Sequence, residues 1–266
     1  MHSSLNELFD ALWQDYLVLT PSALEIHRLL GEGEAILNDH VAFRTFNHPK
    51  VGLDKLAAHF LVLGYEQKGE YHFEAKKLYA RHFEHKTDPL APKVFISELL
   101  LEQCSPELQA IVVGMLEQVD ERLTGQSNFL YSGTPWQVSY QDYQALLEES
   151  EYAAWLAAYG FRANHFTVSV NELSGFDSLE EVNSALKNAG YRLNTSGGEI
   201  KGSPEVLLEQ SSTMADTAIV EFSDGKAELP SCFYEFALRY AKPDGSLYTG
   251  FVAASADKIF ESTNVR

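Results

Sequence analysis

The chain is poor in cysteine and in positive charge, and it has no long apolar run. Its two cysteines, Cys104 and Cys232, are widely separated. That excludes a cysteine-only zinc site and leaves two reduced core thiols as the reading. Lysine and arginine number 20 against 38 aspartates and glutamates, a formal net charge of -18. A field of that sign repels phosphate backbones, so no nucleic-acid partner is expected. It also works against anionic substrates, so a site for an acid must concentrate its few cations locally. No apolar stretch approaches the ~18 residues needed to span a bilayer, so no membrane partner is expected either. The opening MHSSLNELFDALWQDY is acidic and amphipathic, without the basic start and apolar core of a signal peptide, and a cytoplasmic location is expected.

What is present is ordinary globular material: 45% hydrophobic and 12% aromatic residues, enough over 266 positions for one large domain with a sizeable core. Leu5, Leu8, Phe9, Leu12, Trp13 and Tyr16 recur at helical spacing, and Thr20-Pro21 opens a second short helix. A strand-like run, His40 to Phe46, is followed by a helical stretch over 51–63 that Gly64-Tyr65 ends. Strand patterns then cover Glu66–Phe73, Tyr79–His85 and Val94–Leu101, giving the order β-α-β-β-β. Helical patterns over 105–125 and 141–159 form a connection, and the first pattern recurs. Asn164-His165 opens a strand to Val170, a helix runs from Leu179 to Ala189, and Gly190-Tyr191 ends it. Further strands are expected around Leu193, Pro204–Ser211, Ala218–Phe222 and Cys232–Tyr240. The glycine follows the histidine by 24 residues in the first copy and 25 in the second, which indicates a duplicated unit. The expected organisation is α+β: a single catalytic domain over 1–266, with modules over 36–104 and 161–241, a helical connection over 105–160 and added N-terminal helices.

Side chains alternate between the faces of a strand, so His40, Ala42 and Arg44 share one face, as do His165, Thr167 and Ser169, and Phe233, Glu235, Ala237 and Arg239. Modules packed side by side bring His40 and His165 into one cavity. Two imidazoles and a carboxylate form the facial set of non-haem iron(II) oxygenases, with open positions for a chelating substrate and dioxygen. The same set serves catalytic zinc, so the ligands alone do not choose the metal. Glu235 stands in an otherwise apolar strand, where a carboxylate needs a metal or a cation such as Arg239 or Arg162. Glu98 and Glu221 are its rivals as third ligand. His72, His82 and His85 decorate a polar sheet face or stand behind the ligands. Arg44 is placed to clamp a carboxylate in bidentate fashion, with an ordinary ion pair as the alternative. Gln210-Ser211-Ser212-Thr213 reads as a turn or as a set of donors to substrate oxygens.

The segments DHVAFRTF (39–46), ANHFT (163–167), QSSTMAD (210–216), FYEFA (233–237) and ADKIFEST (256–263) resemble the family first described as domain of unknown function 1338 and now understood as 2-oxoadipate dioxygenase/decarboxylase. The resemblance covers nearly the whole chain. It implies a fold of vicinal oxygen chelate type, made of paired βαβββ modules around a shared cavity. It also implies iron(II) held by His40, His165 and Glu235, with Arg44 binding a substrate carboxylate beside His40. The partners implied are a small 2-oxo acid and dioxygen, and the reaction an oxidative decarboxylation followed by hydroxylation of the shortened acid, 2-oxoadipate giving 2-hydroxyglutarate in lysine breakdown. Well-characterised members are longer, and a second substrate-binding arginine has no counterpart here. The alternatives are a zinc- or manganese-dependent lyase or hydrolase on the same scaffold, for which no nucleophile-elbow motif is present, and a binding protein without turnover.

Overall fold

The computed structural model describes residues 1–31 and 35–263. Strand β1 (Asn38–Phe46) is buried at every position after Asn38, so it carries helices on one side and chain on the other. That double burial explains a near-continuous apolar run in place of strict alternation. Helix α3 (Leu53–Leu61) follows it, then β2 (Tyr65–Phe73), β3 (Leu78–His85) and β4 (Lys93–Leu99). The second module runs β5 (Ala163–Ser169), α7 (Leu179–Asn188), β6 (Lys201–Ser203), β7 (Leu208–Ser212) and β10 (Phe233–Arg239). All eight strands join one curled sheet in the order β2-β3-β4-β1-β5-β10-β7-β6.

That order reads as two copies meeting back to back. β1 runs parallel to β4, and β5 parallel to β10, while β1 and β5 pair antiparallel at the seam. Smaller features repeat as well. Gly64 and Gly190 end the module helices at φ +99° and +91°, backbone that a β-carbon strains. Lys77 and Leu207, each closing a short 3-10 turn between paired strands, are the described non-glycine residues with positive φ.

The second module departs from the expected strands. Leu193 makes an isolated bridge to Thr213, and the outer strand is Lys201–Ser203. Pro204 begins a 3-10 turn, since proline cannot donate to a ladder. The run expected as a module strand is β8 (Thr217–Phe222), which pairs with β9 (Gly225–Pro230) as a separate hairpin. Its alternating exposure shows that it was the period, not the partner, that sequence reading detected.

The remaining helices close the core. α1 (Leu5–Leu19) buries Leu8, Leu12 and Tyr16, and the Tyr16 hydroxyl donates to the Phe233 carbonyl of β10. α2 (Ser22–Gly31) packs beside it with Ala23, Ile26 and Leu30 buried. In the connection, α4 (Pro106–Glu117) starts at the Ser105 cap with proline in its first turn. The helix expected over 141–159 is two, α5 (Tyr140–Glu149) and α6 (Glu151–Tyr159), broken at Ser150, whose side chain caps α6. Helix α6 is buried at eight of nine positions and anchors to the sheet through Tyr152, whose hydroxyl donates to the Ser97 carbonyl at 2.7 Å. After β10 the chain returns across the cavity and forms α8 (Ala253–Ile259) and a final turn, Phe260–Thr263.

Candidate metal centre

The seam between β1 and β5 sets the site. Ala42 stands opposite His165, and Thr167 opposite His40, so the two imidazoles sit one register step apart on the same face. β10 lies parallel to β5 with Glu235 opposite Thr167, which brings the carboxylate to both rings. Glu235 Oε1 lies 3.5 Å from His40 Nε2, and Oε2 lies 3.1 Å from His165 Nε2. Ligand atoms of the three residues all fall within 4.8 Å of one another, and all three are buried.

The hydrogen bonds behind these residues fix their roles. His40 Nδ1 donates to Asp39 Oδ1 at 2.8 Å, and His165 Nδ1 donates to Asn164 Oδ1 at 3.0 Å. Each ring therefore turns its Nε2 toward the cavity, where the Thr167 hydroxyl lies 3.0 Å from that of His40. Burial pushes the His165 imidazole below its ordinary value, against the opposing pull of Glu235, so it is neutral at neutral pH. Burial acts upward on the Glu235 carboxyl, but His40, His165 and the Gln210 amide outweigh it, and the group stays ionised. Gln210 Nε2 donates to Glu235 Oε1 at 2.6 Å. Two imidazole Nε2 atoms and a carboxylate thus converge in one buried site. That donor set fits a divalent cation.

The rivals lie elsewhere. Glu98 is on the opposite face of β4, where it accepts a hydrogen bond from the Leu53 backbone at 2.8 Å and caps α3. By register the first-module counterpart of Glu235 is Phe95, which lines the cavity. Glu221 is on the outer hairpin and pairs with Lys226. Neither arginine weighed as a partner for Glu235 reaches it: Arg162 pairs with Asp15 at 3.3 Å and Arg239 with Asp39 at 2.6 Å. His82 is buried between Tyr71 and Glu84 and contacts Phe251 in the cavity wall, His72 packs at a tilt against Tyr79, and His85 bonds the Leu63 carbonyl.

Arg44 is fully buried in a box formed by Tyr152, Trp155 and Phe260, its guanidinium carbon 5.0, 5.0 and 5.6 Å from their ring centres. Nη1 donates to Glu151 at 3.1 Å and Nη2 to the Thr263 hydroxyl at 3.4 Å, while Nε is buried without a partner. Phe260 touches both it and the candidate metal cavity, which is lined by His40, His165, Glu235, Gln210, Phe95 and the roof residues Phe251, Ala256, Ile259 and Phe260. Asp39 and Asn164 were missed by sequence reading as functional groups. Their signal was an acceptor side chain directly before each histidine in both copies. Gln210, read as a turn residue or substrate donor, is in a strand and holds Glu235.

Comparison with known proteins places these features among relatives. The family model for 2-oxoadipate dioxygenase/decarboxylase matches residues 5–246. The rice protein of that name, described as chloroplastic/amyloplastic, is 37% identical over 279 residues, covering 94% of this chain and 76% of its own. The hydroxyglutarate synthase of Oryza sativa, solved in complex with 2-oxoadipate, superposes with a TM-score of 0.90 at 36% identity over 97% of this chain and 91% of its own. A protein of Shewanella frigidimarina NCIMB 400, described as a hydrolase candidate, superposes with a TM-score of 0.93 at 62% identity over 96% of this chain and 100% of its own. The fold of paired modules is shared with a Ralstonia eutropha JMP134 protein described as of the glyoxalase superfamily, which superposes with a TM-score of 0.78 at 21% identity over 92% of this chain and 85% of its own.

Proposed function

The chain belongs to the 2-oxoadipate dioxygenase/decarboxylase family, and from that premise we propose that it converts 2-oxoadipate and dioxygen to 2-hydroxyglutarate and carbon dioxide, with iron(II) held by His40, His165 and Glu235. The observation that carries this reading is the convergence of two buried imidazole Nε2 atoms and one carboxylate across the module seam. Iron(II), held by His40, His165 and Glu235, would leave room for a chelating 2-oxo acid and would supply the redox chemistry that dioxygen activation needs. The atoms balance: six carbons enter, one leaves as carbon dioxide, and both oxygen atoms of dioxygen are retained in the products.

The protein's own part is positioning and exclusion of water. Asp39 and Asn164 hold the imidazoles with Nε2 inward. Gln210 fixes the carboxylate, and Phe95, Phe251 and Phe260 keep the space apolar. Arg44 is the proposed partner of a substrate carboxylate. Its orphaned Nε and its long Nη2 contact leave donors to spare, although Glu151 already balances its charge. In a chain with so negative a field, such a buried cation is the means by which a diacid is drawn in.

No helix among the described residues is long and apolar enough to cross a membrane, and both cysteines are free and buried. We place the reaction in the cytoplasm on the reduced thiols, the plastid location belonging to the plant relatives. The test is anaerobic loading with iron(II), zinc(II) or manganese(II), followed by oxygen uptake with a series of 2-oxo acids. Iron-dependent uptake with 2-oxoadipate, matched by 2-hydroxyglutarate and carbon dioxide in equal amounts, is expected. Turnover with zinc and no oxygen consumption overturns the reading in favour of a lyase or hydrolase.

A further inference from the structure

Residues 240–263 roof the metal cavity. Phe251 lies edge-on to the His40 ring at 4.8 Å and also contacts His82 and Phe95. Ala256, Ile259 and Phe260 complete the cover. Under it the cavity measures about 20 Å³. That is room for an ion or a water, whereas small-molecule pockets are on the order of 300–1,000 Å³. A six-carbon diacid therefore enters only if the roof lifts.

Two groups pin the roof where it passes closest to His40. The Tyr71 hydroxyl, on β2, accepts from the Phe251 backbone at 3.1 Å and is itself bonded to His82. Arg239, at the end of β10, reaches in two directions. Its Nη1 donates to the carbonyls of Tyr248 at 3.1 Å and Gly250 at 2.8 Å. Its Nε and Nη2 grip Asp39 at 2.6 and 2.8 Å in a bidentate pair. Asp39 Oδ1, which receives Nη2, also receives His40 Nδ1. One planar guanidinium is thus bonded at once to the roof backbone and to the carboxylate that aims His40. His165 has no such link, since its Nδ1 acceptor is the neutral Asn164 amide.

We propose that Arg239 is a positioning residue that couples closure of the roof to the aim of His40. With the roof down, four of its five N–H groups are engaged and Asp39 is held square to the His40 ring. When residues 248–251 lift, Nη1 loses both carbonyls, the fork on Asp39 is free to swing, and His40 loses rigidity. Roof closure and metal affinity then favour one another, and by linkage each promotes the other to the same extent. This rests on His40 being a metal ligand.

The test compares wild type with Arg239→Gln, Arg239→Lys and Tyr71→Phe, using cobalt(II) as the probe. The affinity for cobalt is measured by competition with a chromophoric chelator, the visible spectrum of the cobalt protein is recorded, and the rate of limited proteolysis within 240–252 is followed. Arg239→Gln is expected to speed cleavage, to weaken cobalt binding roughly 10- to 100-fold, in the range seen when the partner of a metal-bound histidine is lost, and to change the cobalt spectrum. Arg239→Lys, which keeps the charge beside Asp39 but cannot serve both sides, should fold if Arg239→Gln does not. It should show the same faster cleavage with a smaller loss of affinity. Tyr71→Phe releases the roof without touching Asp39, and should speed cleavage and weaken cobalt binding in the same direction through the roof alone. Unchanged cobalt affinity and spectrum in both arginine variants overturn the coupling. So does faster cleavage in Tyr71→Phe with cobalt affinity equal to wild type. Failure of the wild-type protein to bind cobalt, zinc or iron at all defeats instead the metal reading on which the coupling stands.

Discussion

Replacing Glu235 by glutamine separates a metal ligand from a structural carboxylate, because the two roles predict opposite changes in stability. In the metal-free protein the side chain is 1% exposed, accepts a hydrogen bond from the Gln210 amide and has the Nε2 atoms of His40 and His165 at 3.5 and 3.1 Å. Burying a carboxylate costs several kcal/mol, and one charge-assisted hydrogen bond returns about 1.5–3 kcal/mol of it. Glu235→Gln keeps the shape and an oxygen that accepts from Gln210, while removing the charge. The metal-free variant should therefore be as stable as wild type or more so, by about 1 kcal/mol, which is roughly 2–4 °C in Tm for a chain of this size. With metal the order reverses. At a concentration 1,000 times the wild-type Kd, binding stabilises the native state by about 4.1 kcal/mol. If the substitution weakens binding about 100-fold, the same concentration stabilises the variant by about 1.4 kcal/mol. Thermal melts with and without iron(II), under anaerobic conditions, read both numbers. A metal-free variant several degrees less stable than metal-free wild type, with an unchanged response to iron, would refute the argument and make Glu235 a structural residue.

His165→Ala should abolish metal binding and leave a folded protein, since open sites support the fold less than closed ones; circular dichroism and metal content check this. Burial depresses the His165 pKa in the native state. Its contribution to stability is therefore complete above the unfolded value of about 6.5 and is lost as pH falls toward the lower folded value. Metal-free wild type should accordingly lose stability below about pH 6.5 more steeply than His165→Ala, a difference that Tm against pH would reveal. Arg44→Ala should lower kcat/KM for 2-oxoadipate by at least about thirtyfold, equivalent to about 2 kcal/mol, with iron content unchanged. Arg44→Lys should recover part of the loss, and wild-type kinetics in Arg44→Ala would place the carboxylate partner elsewhere. Gly160→Ala tests the backbone leading into β5: at φ +66° an added β-carbon meets the Gly133 carbonyl oxygen at 2.1 Å. A loss of at least about 2 kcal/mol, or roughly 4–8 °C in Tm, is expected in a thermal melt.

Much of this was legible in the chain itself. The helix terminators Gly64 and Gly190 stand at matching distances from His40 and His165, because each copy must fold the same helix back onto its sheet, and that spacing is a one-dimensional fact. The candidate histidines could be picked out because they hold equivalent places in the two copies, each near the start of a run of buried strand residues. Local period also located most helices and strands, since alternation and helical spacing act over neighbouring residues. What period does not carry is the identity of a strand's partner. Thr217–Phe222 has the alternation of a module strand and yet pairs with Gly225–Pro230 away from the main sheet. The choice among Glu98, Glu221 and Glu235 depended on which face of which strand meets the seam. The parallel pairing of β10 with β5 places Glu235 opposite Thr167 and beside both imidazoles, while Glu98 faces the helices. The partners of the arginines were equally a matter of three dimensions. Arg239 and Asp39 are 200 residues apart, and Arg44 and Glu151 are 107 apart. A buried guanidinium takes whichever carboxylate the packed chain brings within reach, and no local pattern in the sequence records that choice.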